Sequence, residues 1–272
     1  MEQLSFIKIL AILVLRYLVF AGGAYLFVWV LGRKALSGKK LAHQRPPRGQ
    51  ISREVGWSLL TSAIFAVAGK LIFVVWGKGL TLIYMDIGRY GVAYFFSSVL
   101  LLMCLHDTYF YWTHRWMHTR LLFRWFHRVH HESESPTPFA AFSFHPLEAV
   151  VEAAILPILV FVVPTHPMAL LLFLFLMTAL SVINHLGYEL YPGIVFSGWP
   201  GKAWLSTSHH NMHHRRFGYN FGLYFTTWDK WMGTEDPTYA EHERCLRKPR
   251  RRRLFSTPKL DPINFFRNPL QS

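Results

Sequence analysis

The sequence predicts an all-α integral membrane protein: about four transmembrane helices, including a hairpin at 149–185, carrying a cytosolic, helical, histidine-rich metal domain. Three observations predict it. Hydrophobic residues fill 52% of the 272 positions and aromatic residues 17%, a composition that disfavours a water-soluble chain. Several apolar runs approach the ~20 residues needed to cross a bilayer. Histidines cluster at helical spacings immediately after those runs. The formal charge is +14, which in a soluble protein would suggest nucleic acid. Between apolar runs it reads instead as basic loops facing the cytosolic membrane surface, and no nucleic-acid partner is expected.

The first run, 6–31, is interrupted by Lys8 and Arg16. Lys8 can snorkel to the interface; Arg16 lies deeper and needs a partner. The small residues Ala21, Gly22, Gly23 and Ala24 would suit a cleaved signal peptide, but the apolar run continues to Leu31, so an uncleaved span is expected. The connector 32–54 carries Arg33, Lys34, Lys39, Lys40, Arg45, Arg48 and Arg53 against one acid, Glu54, which places it in the cytosol. Spans follow at 55–76, with Lys70 inside, and at 90–112. The sparsely charged loop 77–88 falls on the far side. The apolar arms 149–163 and 167–185 are separated by Pro164 and Pro167, which stop one helix and start the next. They form a full or a shallow re-entrant hairpin, and an even number of crossings returns the chain to the cytosol. Residues 186–208 are rich in Gly and Pro and read as a loop. The Arg/Lys run at 247–253 reads as a juxtamembrane patch for anionic headgroups. The expected organisation is a transmembrane region at 1–105, a catalytic domain at 106–234 and a basic tail at 235–272. The two cysteines, Cys104 and Cys245, suggest no disulfide framework.

The chemistry rests on histidine. His114 and His118 are four apart and share a helical face. His127, His130 and His131 stand at spacings of zero, three and four, placing three rings on one face, and His210, His213 and His214 repeat the pattern. Imidazole is the commonest side-chain metal ligand. Eight or more such nitrogens are too many for one ion and suit two. His43, His166 and His242 stand alone and are expected to be structural. His106 lies on a similar face to His114 but near the membrane end, and its role is open. Asp107 is seven residues before His114 and could hold a histidine through its second ring proton; a helix-end position in water is the equal alternative. Imidazole suits iron, zinc and copper. A structural zinc site needs only four ligands and usually cysteine, so two redox-active iron ions fit better. Asp107, Glu132, Glu148, Glu189 and Asp229 lie close enough in sequence to offset their charge.

From about Asp107 to Thr234 the chain resembles the membrane-bound fatty acid hydroxylase/sterol desaturase superfamily. The residues that carry the resemblance are Asp107, Tyr111-Trp112-Thr113-His114-Arg115 and His118, then His127, His130 and His131. Pro136-Thr137-Pro138-Phe139-Ala140, Phe144-His145-Pro146 and His185-Leu186-Gly187-Tyr188 follow. The last block runs from His209-His210-Asn211-Met212-His213-His214 through Tyr219-Asn220-Phe221-Gly222 to Thr226-Thr227-Trp228-Asp229 and Gly233-Thr234. The Thr-Pro-Phe-Ala, Phe-His-Pro, Tyr-Asn and Thr-Thr-Trp-Asp elements look most similar to the sterol C-5 desaturase branch. The resemblance implies a di-iron centre at the cytosolic face that uses O2 as co-substrate to desaturate or hydroxylate a sterol or sterol-like lipid. It implies ligands at His114, His118, His127, His130, His131, His185, His210, His213 and His214, with His145 and His209 as ligands or close supports and Asp107 as a catalytic residue.

The substrate is expected to enter from the bilayer. The chain has no dinucleotide glycine fingerprint, no haem-attachment motif and too few cysteines for an iron–sulfur cluster. An external electron donor is therefore expected, cytochrome b5 or a ferredoxin with its reductase. Hydroxylation of an acyl chain or a lipid headgroup is the rival within the class. A membrane metal transporter is the rival outside it, disfavoured because the clusters follow the apolar runs and do not sit mid-span. A metalloprotease lacks its H-E-x-x-H motif.

Overall fold

The computed structural model describes residues 4–41, 46–191 and 203–241. Four helices in it are long and apolar enough to cross a bilayer: Phe6–Leu31, Gln50–Gly77, Gly91–Met117 and Pro167–Asn184. The chain is a helical multi-pass membrane protein, with no strands beyond isolated bridges among the described residues.

Ser5 caps α1 (Phe6–Tyr17) by accepting from Lys8 N–H at 3.3 Å. The helix continues to Leu31 but loosens to π winding at Leu18–Gly22 and Tyr25–Leu31. Those segments flank Gly22-Gly23, where two residues without Cβ weaken the α preference. Arg16 Nε is buried without a hydrogen-bond partner among the described residues.

The second helix, α2 (Gln50–Gly77), starts five residues before the expected span. Its first turns turn a polar row inward, with Gln50, Glu54, Ser58, Thr61 and Ser62 all buried. The spacing of about four puts these groups on one face. Glu54 accepts from Gln50 Nε2 at 2.7 Å and from Thr137 Oγ1. Ser58 Oγ–H and Tyr17 O–H both donate to the Phe139 carbonyl at 3.0 Å. The row thereby anchors the 3-10 turn Pro138–Phe142 against α1 and α2.

The third helix, α3 (Gly91–Met117), runs five residues beyond the expected end, so His114 sits on the spanning helix itself. His118 ends it. The segment 113–131 is not one continuous helix. The Thr119 carbonyl takes N–H groups from both Leu122 and Phe123 and turns the chain. Two single-turn helices follow, α4 (Phe123–Phe126) and α5 (Arg128–His131).

The hairpin is present as α6 (Pro146–Val162) and α7 (Pro167–Asn184). Both begin with a His-Pro pair: His145 and His166 each accept the N–H two residues on through Nδ1, at 3.3 and 3.2 Å. Proline then occupies the position whose missing N–H costs nothing. At 17 residues α6 spans about 26 Å, just short of a ~30 Å hydrocarbon core, and it is not among the four spanning candidates. Val99, Leu102, Ile155, Leu159 and Phe173 form the apolar core between α3, α6 and α7.

After a segment outside the described residues come α8 (Thr207–Arg215), capped by Ser206, and α9 (Thr227–Trp231). The basic run at 247–253, His43, His242 and Cys245 also lie outside the described residues.

Candidate metal centre

Nine histidine rings, all buried, converge from four segments of the chain into two groups. The first holds His114 from α3, His118 from its cap, His127 from the junction of α4 and α5, His131 from α5, and His213 from α8. The second holds His130, His185 from the end of α7, and His210 and His214 from α8. Within each group the ligating atoms lie within 4.8 Å of one another.

The triples do not act as single faces. In each His-x-x-His-His triple the residues four apart share a group and the third ring joins the other. His127 and His131 go to the first group while His130 goes to the second; His210 and His214 go to the second while His213 goes to the first. Adjacent helical residues are offset by about 100°. A triple that places rings on both sides of that arc reaches two neighbouring centres.

Four of the nine ring tautomers are fixed from outside. Nδ1–H of His114 donates to the Phe221 carbonyl at 2.8 Å, that of His185 to the Ser181 carbonyl at 2.8 Å, and that of His213 to the Tyr219 carbonyl at 2.7 Å. His127 Nδ1–H donates to Glu148 Oε1 at 2.6 Å. A carbonyl can only accept, so each Nδ1 holds the proton and each Nε2 is a bare lone pair. Yet His114 Nε2 and His127 Nε2, both bare, face each other at 2.9 Å, and His210, whose Nδ1 finds no partner among the described residues, brings its Nε2 to 2.9 Å from the bare Nε2 of His185. Other inward pairs measure 3.0–3.2 Å. Opposed acceptors repel unless a cation lies between them. Imidazole bonds of about 2.0–2.1 Å set at right angles separate their nitrogens by about 3.0 Å, against about 3.4 Å for tetrahedral bonds. The short pairs lie at the separation of neighbouring nitrogens on one ion, so the donor set fits metal ions.

Burial, reinforced by the neighbouring rings, holds His118, His127, His130, His131, His210 and His214 well below the usual imidazole value. His213 is lowered by burial and His114, and His185 falls to about 4 by burial. Neutral rings are the form that ligates.

The segment 219–225 supplies two of the carbonyls that orient ligands, and two carboxylates brace it. Asp107 Oδ1 accepts from Leu223, Tyr224 and Phe225 N–H at 3.2, 2.7 and 3.2 Å. Asp229 accepts from Phe221 and Gly222 N–H at 2.8 and 2.9 Å and from Thr234 Oγ1 at 2.8 Å. A Cβ on Gly222 would lie 2.4 Å from the Phe225 carbonyl, so only glycine fits. Asn220 adopts a left-handed φ of 59° and ties His209 O to Asp236 N–H.

Three of the expected site residues stand outside the two groups. Asp107 touches backbone amides of 223–225, not a histidine or the ligating nitrogens. His145 lies outside both groups because its ring caps α6. His209 also lies outside them: it stacks on Tyr239 with centroids 3.4 Å apart, and its Nε2 faces Glu235 at 3.4 Å. His106 bonds Tyr224 O–H through Nδ1 at 2.7 Å and also falls outside both groups. Of the five acids expected to offset charge, only Glu148 touches a ligand. Glu132 pairs with Arg53 and Arg128, and Glu189 accepts from Ser208 and Tyr191. The repeated His-Pro pairs were the available signal for capping; for Glu148 the signal was its place two residues after Pro146, which aims the first turn of α6 at α5.

Residues 99–234 match the family model described as Fatty acid hydroxylase. A lathosterol oxidase of Rattus norvegicus is 31% identical over 192 residues, covering 70% of this chain and 62% of its own length. A Delta(7)-sterol 5(6)-desaturase of Gibberella zeae is 30% identical over 224 residues, 80% of this chain and 67% of its own. One of Aspergillus fumigatus is 30% identical over 249 residues, 84% of this chain and 76% of its own. The chain thus spans about three-fifths of the length of the lathosterol oxidases it matches. No solved structure matches significantly. With this histidine geometry and these matches, the chain belongs to the fatty acid hydroxylase family of oxidoreductases, on the sterol C-5 desaturase branch that its motifs resemble.

Proposed function

We propose that this chain is a membrane-bound, di-iron, O2-dependent oxidoreductase that desaturates a sterol or sterol-like lipid. The observation that carries the reading is the pair of buried histidine groups whose Nε2 atoms face one another at about 3 Å, beside helices apolar enough to cross a bilayer. The number of imidazoles and the lack of cysteine in the two groups favour iron over structural zinc. Two iron ions there would supply oxidation of an unactivated C–H bond with O2, chemistry that no side chain can perform. The names of the relatives, lathosterol oxidase and Delta(7)-sterol 5(6)-desaturase, support a Δ7-sterol as substrate.

The chain's own contribution is to hold nine neutral donors in place. Phe221, Tyr219 and Ser181 carbonyls and the Glu148 carboxylate keep the ring protons of His114, His213, His185 and His127 on Nδ1 and their lone pairs inward. Asp107 and Asp229 keep the 219–225 backbone from drifting. Burial excludes water from the reacting bond. The basic loops support a cytosolic position for this end of the bundle, where cytochrome b5 or a ferredoxin with its reductase would deliver electrons. The family description favours a second reading, hydroxylation of a C–H bond of a lipid, the acyl chain included.

The test is the purified full chain in lipid nanodiscs with a Δ7-sterol, a fatty-acyl lipid, O2 and a reducing partner, with iron content and products measured together. Loss of two hydrogens from the sterol supports desaturation. Gain of one oxygen supports hydroxylation. Iron-loaded protein that turns over neither lipid refutes the reading.

A further inference from the structure

A cavity of about 990 Å³ opens where the first two spans end, separate from the histidine groups. Four cations line it: Arg33, Lys34, Lys40 and Arg48. None of its described lining residues is acidic. Arg33, Lys34 and Arg48 form no ion pair among the described residues, whereas Arg53, Arg128, Arg216 and Lys230 each meet a carboxylate. Like charges gathered around one concavity focus a positive potential into it. Ile51 and Ser52, from the first turn of α2, also line it, and that turn holds no acidic side chain to oppose the positive end of the helix.

The remaining wall is aromatic and fixed. Trp29 stacks on Tyr25 with centroids 5.9 Å apart and meets Tyr188 edge-on at 5.5 Å. Its indole N–H donates to the Leu186 carbonyl at 2.8 Å. A Cβ on Gly187 would come within 3.0 Å of the Trp29 ring, and Gly187 has a φ of +71°, so this wall closes only around glycine. Tryptophan and tyrosine favour the level of the lipid headgroups. Phe27, Val30 and Leu31, on the last turns of the first span, are exposed and apolar, which offers a surface for acyl chains beside the basic mouth.

We propose that this cavity binds the phosphate headgroup of an anionic phospholipid. Charge selects a phosphate; the apolar flank and the position at the ends of two spans select a phosphate that carries acyl chains over a free one. The site stands whatever reaction the histidine groups support.

Native mass spectrometry of the full chain in detergent, offered equal amounts of dioleoyl phosphatidic acid and dioleoyl phosphatidylcholine, tests it. Phosphatidic acid should be retained in preference. The variant Arg33→Gln/Lys34→Gln/Arg48→Gln should bind it about a hundredfold more weakly, at roughly fivefold for each cation removed. Arg120→Gln/Arg124→Gln/Arg128→Gln, which removes as many exposed charges from the histidine-bearing segment, should bind it like the parent chain. Equal retention of the two lipids, or equal loss in the two triple variants, overturns the proposal in favour of diffuse surface charge. Inorganic phosphate or glycerol 3-phosphate displacing the lipid at equal affinity overturns it in favour of a soluble phosphate ligand.

Discussion

Asp107 separates a catalytic from a structural account of the acidic residue that opens the family motif. It is 2% exposed, and one carboxylate oxygen takes all three N–H groups of Leu223, Tyr224 and Phe225. Asp107→Ala strands three buried donors at about 1–3 kcal/mol each, or about 3–9 kcal/mol together, a large share of the stability of an ordinary domain. The released backbone lies two residues from Phe221, whose carbonyl orients His114, so metal is lost with the fold. Asp107→Asn keeps an acceptor oxygen but gives up its charge, lowering each bond by about 1 kcal/mol and the total by about 3 kcal/mol at most. We expect this variant to bind both metal ions in full, to melt several degrees lower, and to keep activity at temperatures where it is folded. Thermal melts by intrinsic fluorescence, metal content by mass spectrometry and turnover on the same sample check this. An Asp107→Asn protein with unchanged melting and full metal but no turnover would show that the carboxylate takes part in chemistry.

Other outcomes follow from the same geometry. His131→Ala should empty the five-histidine group and His210→Ala the four-histidine group, each leaving about one metal per chain by elemental analysis; retention of both ions in either variant rejects the ligand assignment. His145→Ala and His209→Ala should keep both ions, since their rings cap α6 and stack on Tyr239. Glu148→Gln should weaken metal binding by about 10–100-fold in a competition titration, because it removes the carboxyl group that holds His127 through Nδ1. In metal-free protein, the rings held well below the usual imidazole value stay neutral in the folded state while the unfolded chain takes up protons. Stability should therefore be lost as pH falls below about 6.5, by up to about 1.4 kcal/mol per histidine per unit; a melting temperature that holds steady from pH 7 to 5 after chelation contradicts this.

Periodicity explains which parts of the centre were legible in the sequence. Runs of apolar residues set the spans within a few positions, and the hairpin followed from two prolines. The spacing of histidines at three and four picked out eight of the nine convergent rings, because on any helical turn such residues are neighbours; His185, alone in its segment, came only from the family resemblance. What periodicity cannot give is the target of each ring. His130 and His131 are consecutive, so they point about 100° apart, and they serve different groups. That offset makes a His-x-x-His-His triple unable to close on one ion and suited to two, so the doubled motif encodes a paired centre more firmly than the histidine count does. The acids were illegible for the opposite reason. Asp107 meets amides more than a hundred positions away, and Glu148 reaches His127 only because His145-Pro146 starts α6 beside α5. No local pattern records such partners. A carboxylate near a ligand in sequence is therefore weak evidence of contact with it, and of the five candidates here the backbone folded four toward other donors.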